Sequence, residues 1–143
     1  MEKSLKLCIT NGEFEEAEKI ARLFSFQNFR DEMLEIAFDL ENMQPYYFIS
    51  YLLTDNEDQE LHMLASEILS TALSFHPDAY RLAFEHAKSA LELDPLNIEY
   101  KEYMLLFHRI PDKLLAYKAA STFAKDVLEQ KPDSSVASSF FKD

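Results

Sequence analysis

The sequence predicts an all-α protein of about eight helices, arranged as antiparallel hairpins stacked into a short right-handed solenoid. Three observations predict it. Apolar residues recur at spacings of three and four along almost all of the 143 residues. There is one glycine, whereas the tight primed turns of sheet-rich folds lean on glycine and asparagine. A stretch of 17 residues also aligns with another without gaps at a shift of 37, a period within the range of solenoid repeats.

The elements follow in order. Leu5, Cys8 and Ile9 form a short apolar stripe that ends at Asn11-Gly12, a turn or left-handed helix cap. Phe14, Ala17, Ile20, Ala21 and Phe24 mark a second helix, with Glu13, Glu15 and Glu16 at its positive end and Lys19 and Arg22 further on. A third runs from about Asn28 to Glu41, with Phe29, Met33, Ile36, Ala37 and Leu40 facing inward. After a break at Asn42–Pro45, the run YYFISYLL over 46–53 suits a buried helix or a buried strand. Its helical neighbours favour the helix. Asp58 to Phe75 reads as one long helix, with Leu61, Leu64, Ala65, Ile68, Ala72 and Phe75 inward. His76-Pro77-Asp78 ends it and caps the next, which reaches Leu93 and stops before Pro95. Asn97 caps a helix to about His108, and Pro111-Asp112 starts a last one to about Gln130. The hairpins fall near 2–25, 28–53, 58–93 and 97–130, within one domain over 1–133. A tail over 134–143 either frays or docks through Val136, Phe140 and Phe141.

The repeat pairs Ala79–Pro95 with Ala116–Pro132. Eight of the 17 positions are identical, among them Ala79/Ala116, Ala83/Ala120, Ala87/Ala124 and Pro95/Pro132. Alanines four apart make a track of small side chains against which a neighbouring helix can pack closely, and the prolines close each unit. The pattern Ala83-x6-Ala90-x4-Pro95, within AFEHAKSALELDPLN, resembles the second helix of a tetratricopeptide repeat. NGEFEEAEKIARLF resembles the turn and second helix of another such unit. The period of 37 exceeds that family's usual length, and Val127 stands where the later unit's second alanine belongs. The resemblance implies a divergent helical-repeat module that binds protein or peptide along one face and carries no chemistry of its own.

The composition excludes much. One glycine is too few for phosphate-cradling or dinucleotide-binding loops. The lone cysteine, Cys8, excludes an internal disulfide and a multi-cysteine zinc site, and reads as a structural thiol. His62, His76, His86 and His108 fall on four different elements without metal-pair spacing, and read as structural. No catalytic motif, cofactor or metal is expected. No run of 18 apolar residues occurs, and the N-terminal stretch has no apolar core of signal-peptide length. The expectation is therefore no membrane and a cytoplasmic location.

Charge supplies the sharpest functional expectation. The chain has 26 acids against 14 bases, net −12, which counts against binding nucleic acid. Residues 1–67 hold 15 acids and 5 bases, so −10 of that sits in the first half. The first helices of the hairpins carry Asp31, Glu32, Glu35 and Asp39, then Glu60 and Glu67, then Glu99 and Glu102 beside the aromatic Tyr103. These nine are the candidate partner-binding residues, facing a basic protein. In size, charge and architecture the chain is similar to bacterial immunity proteins. That resemblance implies neutralisation of a basic cognate toxin domain, such as a cationic nuclease. The alternative is an adaptor or chaperone-type module that binds a peptide segment or self-associates, as a monomer or weak homodimer.

Overall fold

The computed structural model describes residues 4–142. Among them the secondary structure is helical, with no strand. The helices are α1 (Leu5–Thr10), α2 (Phe14–Ala21), α3 (Phe26–Leu40), α4 (Gln44–Asp55) and α5 (Gln59–Ser70). They continue with α6 (Ala79–Leu93), α7 (Ile98–Met104), α8 (Leu106–Arg109), α9 (Tyr117–Gln130) and α10 (Ser135–Phe140). Only Leu105 separates α7 from α8, and it keeps a right-handed helical backbone, so the two act as one bent helix.

Local chemistry explains the boundaries. The Ser4 hydroxyl accepts from the Leu7 amide and starts α1. Gly12, at φ 74°, ends it. The Gly12 amide donates to Ile9 and the Glu13 amide to Cys8, the paired bonds of a left-handed cap. Ser25 caps α3 through the Asn28 amide, which puts the helix start ahead of Asn28. The run over 46–53 is helix, inside α4.

Two expected boundaries are corrected. The helix expected to reach Phe75 stops at Ser70. Thr71 Oγ1 takes the Glu67 carbonyl at 2.6 Å, and the backbone at Thr71 leaves the helical region. Phe75, expected inside, is 65% exposed. The helix expected to start at Pro111 begins instead at Tyr117. Between them the chain folds back on α8, where the Leu115 amide donates to the Phe107 carbonyl and His108 Nδ1–H donates to the Leu115 carbonyl. Of its two expected courses, the tail from 134 onward takes the docked one, through α10. Ser134 caps that helix, and Ala137 and Phe140 are buried against α9.

Packing runs from each helix to its neighbours. α1 and α2 lie against each other and against α4. α3 pairs with α4 and touches α5, α4 packs on α5, and α5 packs most extensively on α6. α6 meets α7, α7 pairs with α9, and α10 closes on α9. Two apolar clusters result, one around Ile9, Met33, Ile36, Phe48 and Ile68 and one around Leu69, Met104, Leu105 and Phe107. They meet at α5, and Met43 and Tyr46 pack against both. The repeated alanines do what small residues at that spacing permit. Ala83, Ala87 and Ala90 on α6, and Ala120, Ala124 and Val127 on α9, are all fully buried.

Candidate protein-binding surface

The acids of α3 separate by turn. Burial of Phe29, Met33, Ile36 and Ala37 turns Asp31, Glu35 and Asp39 outward, one per turn, with Glu32 half-buried beside them. Asp39 pairs with Lys6 of α1 at 3.4 Å. Asp31 accepts from Gln27 at 3.0 Å and lies 3.4 Å from Arg30. Glu32 and Glu35 have no ion-pair partner among the described residues.

Arg30 links α3 to α5. Its Nε donates to Glu67 Oε1 at 3.3 Å and its second nitrogen donates to Glu67 Oε2, a two-bond fork. That bonding to Glu67 raises the guanidinium pKa, against the opposing effect of burial. Glu67 is thereby committed internally, whereas Glu60, one heptad earlier on the same helix, is exposed.

Tyr100 of α7 stands at the centre of the acidic field. Burial raises its phenol pKa first, and the carboxylates of Glu60, Asp94, Asp58 and Glu67 raise it further. It therefore stays a neutral hydroxyl inside an acidic face that spans α5 and α7. Sequence reasoning chose Tyr103 as the aromatic element of this surface. The structure turns the Tyr103 hydroxyl inward, to Ser66 at 2.8 Å and Ser70 at 3.0 Å. Ser66, fully buried, also donates to the Ala83 carbonyl at 2.7 Å. Tyr103, Ser66 and Ala83 thus tie α7, α5 and α6 together. Ser66→Ala strips a partner from both the Ala83 carbonyl and the Tyr103 hydroxyl, and is expected to lower stability by about 1–2 kcal/mol. Urea denaturation reads this, and an unchanged midpoint would show the joint to be dispensable.

Glu99, Glu102 and Tyr103 also line a cleft of about 490 Å³ with Leu106, Arg109 and Val136. Lys131 bridges Glu99 and Glu102, at 3.2 Å to each. The Ser134 hydroxyl donates to Glu102, which with Lys131 holds that carboxyl below the usual carboxylate range. So the nine expected residues divide. Glu32, Glu35 and Glu60 are uncommitted, the other acids are engaged internally, and Tyr103 is a structural joint. Arg30, Lys131 and Tyr100 complete the surface and were not among them.

A polar chain missed by sequence reasoning lies behind this face. His62 of α5 and His86 of α6, read from the sequence as structural residues on different elements, meet with Nδ1 atoms 2.9 Å apart. Tyr46 Oη lies 2.9 Å from His86 Nε2, and His62 Nε2 lies 2.5 Å from Glu57. Among the described residues no three His, Cys, Asp or Glu side chains are grouped to hold a metal ion, and no helix is long and apolar enough to cross a membrane.

No family model matches the chain, and the searches of curated proteins and of solved structures give no match.

Proposed function

We propose that this protein is a non-catalytic binding module that receives a basic protein partner on the acidic face formed by α3, α5 and α7. The observation behind it is the row of outward-facing carboxylates on α3, Asp31, Glu35 and Asp39, together with a second group, Glu60, Asp94 and Asp58, whose charges act on Tyr100 between α5 and α7. A cationic partner would be steered to that field and would find an amphipathic ring at its centre. The succession of hairpins supports reading the fold as a short tetratricopeptide-like right-handed solenoid. The second helices α4 and α6 abut the first helices α5 and α7 of the following units, whereas α2 packs on α1 and α4. With the size and charge, this favours an immunity-type role in the cytoplasm, in which the module neutralises a basic toxin domain such as a nuclease.

Calorimetric titration with a basic toxin domain encoded by a neighbouring gene tests this. The expected result is a tight complex that weakens as salt rises. Asp31→Lys, Glu35→Lys and Asp39→Lys together should weaken it by roughly tenfold or more at low salt. Glu35→Lys with Glu60→Lys, which breaks no internal ion pair among the described residues, should weaken it in the same direction with helicity unchanged. Absence of heat at low salt, or equal affinity of the triple variant, would overturn the proposal. The adaptor reading would instead show as concentration-dependent mass in light scattering.

A further inference from the structure

At the opposite chemical extreme from the acidic face, α8, the loop over 110–116, α9 and α10 enclose a cavity of about 410 Å³. His108, Arg109 and Lys113 line it together with Tyr117, Ser139 and Phe140. In a chain of net charge −12, three basic side chains gathered in one cavity are the exception. None of them has a carboxylate ion-pair partner among the described residues.

Each group is positioned by a separate part of the fold. Arg109 donates through one terminal nitrogen to the Val136 carbonyl at 3.0 Å and to Ser139 Oγ at 2.7 Å, which anchors the guanidinium and commits only that nitrogen. His108 spends its Nδ1–H on Leu115, so Nε2 remains as the ring's open polar atom. Lys113 sits at φ 44°, a left-handed conformation unusual for a residue with a side chain. Tyr117 is 61% exposed and stacks on Phe140, with ring centroids 5.2 Å apart and planes 26° apart. Tyr117 thus forms an aromatic wall beside the cations, backed by the buried Phe140. Ala116 gives α9 no side-chain cap, so unpaired amides at its start add positive potential to the same region.

We propose that this cavity binds an aryl phosphate monoester, with the phosphate between Arg109 and Lys113 and the aryl group beside Tyr117. Arg109 keeps further guanidinium N–H groups and Lys113 an ammonium to donate to the phosphate oxygens, from two separate side chains, whereas a carboxylate is satisfied by a single fork. His108 Nε2, with Nδ1–H spent on Leu115, is an acceptor at the same cavity for the P–OH of a monoanionic monoester. The volume falls in the range of organic ligands and exceeds what a bare phosphate ion fills. The ligand can arrive free or as a phosphorylated tyrosine side chain. This inference does not rest on the basic-partner reading, although Arg109 also lines the neighbouring cleft with Glu99 and Glu102.

The test is a titration of the ¹⁵N-labelled full chain with phenyl phosphate, a short phosphotyrosine peptide, inorganic phosphate and benzoate, reading the amides of Tyr117, Lys118 and Ala119. Saturable shifts are expected with phenyl phosphate, about tenfold tighter than with inorganic phosphate or benzoate. Tighter binding of the peptide would assign the ligand to a phosphorylated protein. Lys113→Asn keeps a residue that tolerates the left-handed backbone, and should weaken phenyl phosphate binding by about tenfold with an unchanged thermal melt. Lys113→Gly supplies the same test should the asparagine variant melt early. Absence of saturable shifts, equal binding of benzoate, or unaltered affinity in both folded variants would overturn the proposal.

Discussion

Ala87→Leu is expected to destabilise the protein by about 3 kcal/mol, although it adds only apolar atoms to an apolar site. Ala87 is fully buried on α6, in the cluster that also holds Met104, Phe107 and Ala124. The Phe84 ring packs against Phe107 of the same cluster, with centroids 5.3 Å apart. A leucine there must drive helices apart or force side chains out of their rotamers. The repeat supplies a control. Ala79 and Ala116 are equivalent in the repeat, yet Ala79 is fully buried and Ala116 is exposed just before α9. Ala79→Leu should therefore destabilise, while Ala116→Leu should change stability by less than about 0.5 kcal/mol. Chemical denaturation of the three variants checks this. Equal effects at Ala79 and Ala116 would mean that the sequence repeat, rather than burial, governs the outcome.

That contrast shows what was legible in the chain. Periodicity identified the helical class and the inward faces of α2 and α3, because a stripe at three-and-four spacing has one economical burial. The alanine track identified close packing at Ala83, Ala87, Ala120 and Ala124, all of which are buried. It failed at Ala116 because α9 starts one residue later, at Tyr117, after the chain has folded back through Leu115. The acidic row was visible as composition, but its internal neutralisation was not. Arg30 and Glu67 lie 37 positions apart, and only the approach of α3 to α5 joins them. The histidine pair had a signal that a misplaced turn concealed. A turn centred on Pro77 sets His62 opposite Glu92, far along α6. With α5 ending at Ser70 and α6 starting at Ala79, the turn centres near Ser74 and brings His62 opposite His86. The error in one helix boundary was the error in the partner of His62.

The pair that this boundary conceals should make the fold acid-sensitive. With both rings neutral, His62 Nε2–H donates to Glu57 and His86 Nδ1–H donates to His62 Nδ1. The Tyr46 hydroxyl then donates to His86 Nε2. Every contact holds one proton. Wherever His62 carries charge, both of its ring nitrogens hold protons, and protonating His86 as well would set two N–H groups against each other across 2.9 Å. Burial, and then the charge on His62, accordingly lower the His86 pKa from 6.5 to about 4, with Glu57 opposing. The unfolded chain takes up this proton first, so between pH 6.5 and about 4 it binds more protons than the folded one. Unfolding free energy therefore falls as pH falls through that window, by about 3 kcal/mol from this residue, and the contribution levels off below it. His86→Phe keeps a ring against Tyr46 and His62 but removes the titration. It should be less stable than the parent at pH 7, where Tyr46 and His62 each lose a partner, and lose less stability on acidification. Guanidinium unfolding of both proteins at half-unit pH steps measures the two slopes. Parallel slopes from pH 6.5 to 4 would show that the His62–His86 contact does not limit protonation, and that acid sensitivity lies with the carboxylates.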